Sequence, residues 1–369
     1  MSSSSLLTHP TPWWGRWALP FVDAAVFDFW AGHVNATWSW SRTLARVVER
    51  REEARGTVTL VLKPNRHWRG FQPGQHVNVS AEVDGRRITR SYSLSDAPRA
   101  DGRIAITVKQ VEGGRLSTHL VRHARVGDVL ALGEAFGEMT LPAQPQCRWV
   151  FLAAGSGITP FLSMTRALAA QGMPVDLTLV VWARTRAELA AVAALEAIAK
   201  QHPRFRFEAV LTREPTEDPS RRIGAETLAA VLGRPETLGD AEVRACGPGS
   251  FVATARTLLA PYAKSFLGEA FSPVVLDDGA AAPTKAVQIT LRRSGRTVTV
   301  DDRQALLPAL EAQGLSIPTG CRMGICRTCV CTKHDGVAQS MDTGDLDTEN
   351  ETALRLCVSR PRTDLTLDL

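Results

Sequence analysis

Apolar and polar residues alternate in short runs through the first part of the chain. TVTLVLKP (57–64), HVNVSAEV (76–83) and RIAITVKQV (103–111) carry the β-branched, period-two pattern of half-buried strands, broken by Gly and Pro turns. From about Arg148 the texture changes. WVFLAA (149–154), DLTLVVWA (176–183), RFRFEAVLT (204–212) and AEVRAC (241–246) read as strands alternating with helical stretches such as FLSMTRALAAQG, the signature of a parallel α/β sheet. SPVVLDDGAAAPTK (272–285) has no period and reads as a tether. Beyond it, VQITL (287–291) and TVTV (297–300) predict a hairpin across Arg293–Arg296. A helix over about 304–313 then ends at Gly314, and TDLTLDL (363–369) forms a closing strand. The pattern divides the chain into an extension (1–43), an antiparallel strand-rich barrel (44–142), an α/β parallel-sheet unit (143–270), a linker (271–284) and a small α+β unit (285–369).

Composition adds boundaries to this picture. A chain of 369 residues holds about two or three domains. Its 44% hydrophobic and 22% charged content is that of an ordinary globular protein. A net charge of +5 is too small for this size to suggest a nucleic-acid partner. The start MSSSSLL lacks a basic segment ahead of an apolar run, so it does not read as a secretory leader. The apolar stretch from Trp17 to Trp40 is interrupted by Asp23, Asp28 and His33, short of the roughly 18 uncharged residues a membrane span needs. The expected location is the cytoplasm, with at most peripheral association at the inner face of the membrane. Six of the nine tryptophans (Trp13, Trp14, Trp17, Trp30, Trp38 and Trp40) crowd into the first 40 residues. They make either a folded extension that packs on the barrel or an interfacial or partner-docking patch.

The cysteines carry the sharpest chemistry. Cys321, Cys326, Cys329 and Cys357 are spaced C-x4-C-x2-C plus a distant fourth, the plant-type arrangement for a 2Fe–2S cluster. A structural zinc site pairs its cysteines in two clips, and here one side has only Cys357. Seven cysteines without a secretory leader point to a reducing compartment rather than a disulfide framework. Gly320 and Gly324 allow backbone N–H groups to approach the sulfurs closely. Cys331 lies outside the pattern and reads as structural. Residues 335–354 hold Asp335, Asp342, Asp345, Asp347, Glu349 and Glu351 with no Lys or Arg. They form either a solvated face or an acidic docking surface that steers a basic partner.

Further motifs lie in the first two units. Arg90-Ser91-Tyr92-Ser93-Leu94-Ser95 puts a guanidinium, a phenol and hydroxyls on one extended stretch. The arginine can neutralise a pyrophosphate, and the ring can stack on an isoalloxazine. Gly113-Gly114-Arg115-Leu116-Ser117-Thr118 enters a helix that Ser117 or Thr118 is expected to cap, leaving first-turn N–H groups for a phosphate. Gly155-Ser156-Gly157-Ile158-Thr159-Pro160 joins a strand to a helix, where dinucleotide phosphates bind, although it is not the GxGxxG fingerprint. The fourth α/β strand runs into Cys246-Gly247-Pro248-Gly249. His119 and His123 share a helix face at i, i+4, but no local third ligand turns them into a metal site.

Each motif is weak alone. In this order and spacing they resemble the ferredoxin–NADP reductase superfamily, and residues 285–369 resemble a plant-type β-grasp ferredoxin domain. The resemblance covers roughly 44–369 and is to fused reductases with the ferredoxin at the carboxyl end. It implies Arg90, Tyr92 and Ser93 at a flavin, and Gly114, Leu116, Ser117 and Thr118 at its pyrophosphate. FAD is favoured over FMN because the Arg-Gly-Gly-Ser loop of FMN-using relatives is absent. Gly155, Gly157, Thr159 and Pro160 match the family's G-x-G-[IV]-[TA]-P segment, and Cys246, Gly247 and Pro248 match its C-G-P motif. The resemblance sets the Cys246 thiol beside the nicotinamide, with Tyr92 as its catalytic companion at the flavin. Thr212-Arg213-Glu214 is similar to the Ser-Arg-Glu of phosphate-selective members. NADPH is thereby favoured over NADH, with Arg184, Arg186, Arg221 and Arg222 adding charge. Arg327 departs from the small residue that usually follows the second cysteine.

The implied activity is NAD(P)H-dependent electron transfer through FAD and a 2Fe–2S cluster to an external acceptor. The chain itself carries no histidine boxes and no Rieske-type Cys-His pairs. The leading expected acceptor is a membrane fatty-acyl desaturase, because the Trp-rich extension is similar to that of bacterial reductases thought to serve such enzymes. The runner-up is a soluble ring-hydroxylating or diiron oxygenase. A redox sensor or interaction protein is the non-enzymatic alternative.

Overall fold

The computed structural model describes residues 23–214, 221–271 and 284–369. Trp13, Trp14, Trp17 and most of the tether therefore lie outside the described residues. The first described element is helix α1 (Ala24–Val34), with the Asp23 carboxylate accepting from Ala25 N–H at its start. Asp28 on this helix accepts from Trp40 N–H (2.6 Å), Ser39 Oγ (3.0 Å) and Arg42 Nε (2.9 Å), folding residues 35–42 back against it. Asn65 and His67 of the barrel hold the same segment through the carbonyls of Thr37 and Ser39.

The barrel is a six-stranded antiparallel sheet. Its strands are β1 (Thr43–Ala54), β2 (Thr57–Pro64), β3 (His76–Val83), β4 (Arg86–Ser93), β5 (Ile104–Lys109) and β6 (Val129–Phe136). They lie in the order β4-β3-β6-β1-β2-β5. An isolated bridge between Leu94 and Ile106 brings the two edges together, which leaves less open edge to pair with other chains. The expected strands at 57–64 and 76–83 form with those bounds. Strand β1 escapes the period-two pattern because two register shifts interrupt it and its second half is charged. Inward residues such as Val47, Leu60, Leu62, Val77, Val79 and Ile106 fill the core, and helix α2 (Arg115–Arg122) closes one end with Leu116 and Leu120.

The second unit is a doubly wound parallel sheet of β7 (Arg148–Ala154), β8 (Leu177–Ala183), β9 (Phe205–Leu211), β10 (Ala241–Gly247) and β11 (Ser265–Ala270), in the order β11-β10-β7-β8-β9. Helices α3 (Ile158–Ala170) and α4 (Val192–Gln201) cover one face, and α5 (Ala225–Leu232) and α6 (Gly249–Leu259) the other. Two apolar layers sandwich the sheet, which is why β7 and β8 are apolar nearly throughout rather than alternating. Strand β11 lies past the motif-bearing strands and continues this sheet.

The third unit is a five-stranded mixed sheet, ordered β13-β12-β19-β14-β17, with helix α7 (Leu306–Ala312) against it. Its strands are β12 (Ala286–Leu291), β13 (Arg296–Asp301), β14 (Val330–Asp335), β17 (Thr352–Arg355) and β19 (Leu365–Leu367). A small sheet of β15 (Ala338–Ser340), β16 (Leu346–Asp347) and β18 (Ser359–Pro361) lies beside it. The β12–β13 hairpin pairs in full register.

Candidate functional site

Strand β4 pairs with β3 so that Ser93 faces His76, Tyr92 faces Val77, Ser91 faces Asn78 and Arg90 faces Val79. Period two puts Arg90 and Tyr92 on one side of the strand. Burial pushes the Tyr92 phenol well above its ordinary range against the pull of Arg90, so it stays protonated. Burial, and then the like charge of Arg322, pulls the Arg90 guanidinium down. Arg90 donates to its neighbour's carbonyl at Thr89 (2.7 Å) and, among the described residues, forms no ion pair. Ser93 Oγ is buried without a partner. A cation without a counter-ion and an orphaned hydroxyl on one strand are what a flavin phosphate and ring would satisfy, so this donor set fits FAD.

The glycine turn into α2 is equally restrictive. A side chain at Gly114 would strike Ser117 Oγ at 2.5 Å. Gly114 itself is the N-cap of α2, with no side-chain cap. Ser117 does not cap the helix as expected. Its hydroxyl accepts from Val111 N–H and donates to Gly114 C=O, both at 3.2 Å, because residues 117 and 118 already lie inside the first turn. Thr118 N–H is spent on Gly114 C=O. The Leu116 side chain is buried in the barrel core, which leaves only its backbone to serve a ligand.

The nucleotide segment is pressed between strand ends. Strand β7 runs into a short turn at Gly155–Gly157 and then into α3. Gly155 sits at φ 56°. A Cβ on Gly157 would lie 2.0 Å from Cys246 C=O, so only glycine lets β10 pass so close. Thr159 Oγ1 donates to Ser156 C=O (2.9 Å), and Pro160 is buried in the first turn of α3. A cleft of about 400 Å³ opens above these ends, lined by Gly155, Ser156, Trp182, Arg184, Gly247, Pro248 and Phe271, among others. A cavity of similar size under the amino-terminal segment, between Phe27, Trp38, Asn65 and His67, contains none of the motif residues.

Two expected residues sit differently from their neighbours. The Cys246 side chain is fully buried in the sheet core, and burial, then Glu269, raises its thiol well above the ordinary range. Gly247 and Pro248 line the cleft, whereas the thiol does not. Arg213 is exposed and off the cleft wall, with its N–H on Arg184 C=O (2.8 Å). The arginine on the wall is Arg184. Arg186 pairs with Glu196 (2.7 Å), and Arg221 offers its carbonyl to Trp182 Nε1 (3.2 Å).

The cluster loop is organised around its sulfurs. Cys321 N–H and Thr328 Oγ1 donate to Cys326 Sγ, Met323 and Cys326 N–H to Cys321 Sγ, and Gly324 N–H to Cys357 Sγ, all between 3.1 and 3.3 Å. All four thiols are free. Hydrogen bonds from the Cys326 and Cys357 thiols, in that order, hold the Cys321 thiol well below its ordinary range. Such a cradle, aimed at negative sulfur, fits a thiolate-ligated 2Fe–2S group. It requires left-handed backbone at Arg322 (φ 59°), Gly324 (φ 76°) and Arg327 (φ 55°). Arg327 adopts this conformation despite its side chain, which extends into solvent towards Glu138 (3.8 Å). Cys331 is buried on β14, with its thiol pushed up to about 12 by burial and then by Cys329. His119 and His123 lie 5.9 Å apart between ring centres and gather no third ligand among the described residues.

The three sites meet. A side chain on Gly320 would come within 3.3 Å of Asn78 Oδ1, so the cluster loop packs directly on flavin strand β3. Beside it lies a pair that sequence reasoning missed, His76 on β3 and Glu269 on β11, 3.3 Å apart and both buried. Burial lowers His76 to about 4 and raises Glu269 to about 8, so near neutral pH both groups are uncharged, and neither His76 ring nitrogen nor Glu269 Oε2 has a hydrogen-bond partner. No local motif announces it, since β3 and β11 meet only in the folded chain. Three of the six acids in the acidic run pair within their own unit. Asp342 pairs with Arg355 (3.2 Å), Glu351 with His334 (2.8 Å) and Asp347 with Lys333 (3.2 Å). Lys333 is fully buried and also donates to Gly336 C=O and Glu349 C=O.

An antiparallel flavin-type barrel, a parallel nucleotide sheet and a four-cysteine loop define a modular oxidoreductase. Family models agree: residues 45–140 match the oxidoreductase FAD-binding domain, 151–257 the oxidoreductase NAD-binding domain and 289–362 the 2Fe-2S iron-sulfur cluster binding domain. The chain belongs to the ferredoxin–NADP reductase family whose members carry a carboxyl-terminal 2Fe–2S ferredoxin domain, and is an NAD(P)H-dependent oxidoreductase. Among its relatives is an NADPH oxidoreductase of Mycobacterium tuberculosis, 33% identical over 91% of this chain and 86% of that one. Another, from the same organism, is the ferredoxin reductase component of 3-ketosteroid-9-alpha-monooxygenase, 33% identical over 87% of this chain and 93% of that one. The solved phthalate dioxygenase reductase shares the fold, with a TM-score of 0.60 and 23% identity over 88% of this chain and 97% of that one.

Proposed function

We propose that this protein is the reductase component of a two-part oxygenase system, taking electrons from NADPH and delivering them to a separate, soluble oxygenase. The observation that carries this reading is the convergence of β4, the β7–β10 strand ends and the cluster loop at one junction around Asn78, His76 and Glu269. Electron transfer needs its groups close, and a sensor would have no use for a nucleotide cleft opening on the same junction. Relatives named as reductase components of monooxygenases support an oxygenase acceptor.

Bound FAD and cluster together supply the conversion of a two-electron hydride into single electrons. The chain's own groups bind and exclude. Arg90 neutralises flavin phosphate, protonated Tyr92 packs along the flavin ring and Ser93 donates to its polar edge. The backbone at Gly114 and Leu116 meets the pyrophosphate. Gly155, Gly157, Thr159 and Pro160 shape the α3 N-terminus for the nucleotide phosphates, and Gly247 and Pro248 line the nicotinamide end. Cys246 acts from beneath this surface by packing, and Cys321, Cys326, Cys329 and Cys357 ligate the cluster.

One observation favours the membrane desaturase as a second reading. Phe29, Trp30, Trp38 and Trp40 are 48–66% exposed on one amino-terminal segment. Among the described residues no helix is long and apolar enough to cross a membrane. Reconstitution separates the two acceptors. The expected result is NADPH-dependent product formation with a purified oxygenase component and none with desaturase-bearing membranes, and the reverse pattern would overturn the soluble assignment.

A further inference from the structure

The nucleotide cleft already contains an anion of its own. Among the described residues lining it, Lys109, Arg184 and Glu188 are the charged ones. Glu188 Oε2 accepts from Lys109 Nζ at 2.8 Å and from Arg184 Nε and Nη2 at 3.1 and 3.0 Å. Its Oε1 lies 2.8 Å from Arg184 Nε. The two cations come from different units, Lys109 from the end of barrel strand β5 and Arg184 from just past β8. One carboxylate, 15% exposed, answers both.

Its location matters more than the pairing. Lys109 and Glu188 also line the small space where α3 begins, with Gly155, Ser156 and Thr159. The free N–H groups and dipole of that helix start favour an anion, which is why a dinucleotide's phosphates are drawn there. Glu188 stands at that ground. Strand order then orients the dinucleotide. His76 of the barrel, beside the cluster loop, meets the sheet at Glu269 on β11, so the nicotinamide end is assigned to the β10–β11 side and the adenosine end to β8 and β9. Arg184 and Thr212, which line the cleft at the ends of those strands, face the adenosine ribose and any 2′-phosphate.

We infer that Glu188 is the cleft's resident counter-anion: it holds Lys109 and Arg184 until the phosphates of the dinucleotide displace it, and so limits affinity for the 2′-phosphate. This rests on reading the cleft as the nucleotide site. Glu188 then opposes binding although it sits among the binding residues, and its removal tightens the complex. A carboxylate that merely positioned the two cations would act with the opposite sign.

Calorimetric titration of the FAD- and cluster-loaded full chain with NADP+ and NAD+ tests this. Glu188→Gln keeps a hydrogen-bonding group towards Lys109 while removing the charge. Its Kd for NADP+ is expected to fall about five- to tenfold, the effect of one screened charge contact, and to fall less for NAD+. Adding Arg184→Met should erase the NADP+ gain. An unchanged or weaker NADP+ affinity in Glu188→Gln overturns the inference, as does a gain that is equal for both nucleotides or that survives loss of Arg184. Wild-type protein that binds neither nucleotide would instead overturn the reading of the cleft.

Discussion

The two ends of the electron path handle negative charge by opposite means. At the entry, charge is met by long side chains, Lys109 and Arg184, held by a third, Glu188, in an open cleft. At the exit it is met by backbone N–H groups of Cys321, Met323, Gly324 and Cys326, fixed by left-handed residues at 322, 324 and 327. A substrate that arrives and leaves each turnover suits mobile cations that can exchange partners. A resident group suits fixed dipoles, which cost no reorganisation and cannot re-pair elsewhere. The difference teaches that exchange or permanence of a ligand is written in the kind of donor the chain presents.

The largest expected effect comes from breaking the permanent end. Cys357 is contributed from outside the loop, and Gly324 N–H points at its sulfur. Cys357→Ser should lose cluster absorbance and lower NADPH-driven cytochrome c reduction by about 100-fold or more, since even outer-shell changes cost about 10–100-fold in metal affinity. Ferricyanide reduction, which needs only the flavin, should stay within a few-fold. Retained visible absorbance with full cytochrome c turnover would sink the ligand assignment.

Legibility in the sequence follows the same divide. The 2Fe–2S domain is readable because three of the four cysteines proposed as ligands lie within nine residues in a plant-type spacing. The strands at 57–64 and 76–83 are readable because one face is buried and period two survives. Lys109, Glu188, His76 and Glu269 are not readable, because each gains its meaning only when distant strand ends meet. Arg184 and Arg213 look alike as sequence, and only the cleft separates them. The acidic run at 335–354 shows no pairing in the sequence, but three of its six acids, Asp342, Asp347 and Glu351, pair with Arg355, Lys333 and His334 of their own unit. The oxygenase preference over the desaturase came from relatives, since nothing in the four-cysteine loop itself identifies an acceptor.

The junction between the two ends gives a smaller, pH-dependent effect. Folded Glu269 keeps its proton up to about 8, against an ordinary 4.5. Its stabilising contribution is complete below 4.5 and is lost as pH rises towards 8, because the unfolded chain has already released that proton. Folded His76 stays neutral down to about 4, against an ordinary 6.5, so its contribution is present above 6.5 and lost as pH falls. Between pH 6.5 and 8 only Glu269 acts, with a slope of at most about 1.4 kcal/mol per pH unit. Glu269→Gln mimics the protonated acid. Thermal flavin release should therefore become less pH-dependent across this window in the variant than in wild type, and parallel curves would show that Glu269 does not hold its proton there.

The smallest effect is expected where sequence resemblance placed the phosphate arginine. Arg213 projects from the end of β9 into solvent, bound to Arg184 only through its backbone N–H. An exposed cation off the cleft wall acts on a ligand through screened water and contributes little. Arg213→Ala should shift the NADPH-to-NADH ratio of kcat/KM by no more than about twofold. Arg184→Ala, which removes a cation from the wall itself, should shift it about fivefold or more. The reverse ranking would mean that the adenosine end of the substrate extends past the cleft wall, over Arg213. The exchangeable end of the path would then be built from loop cations rather than from the bridged pair that Glu188 holds.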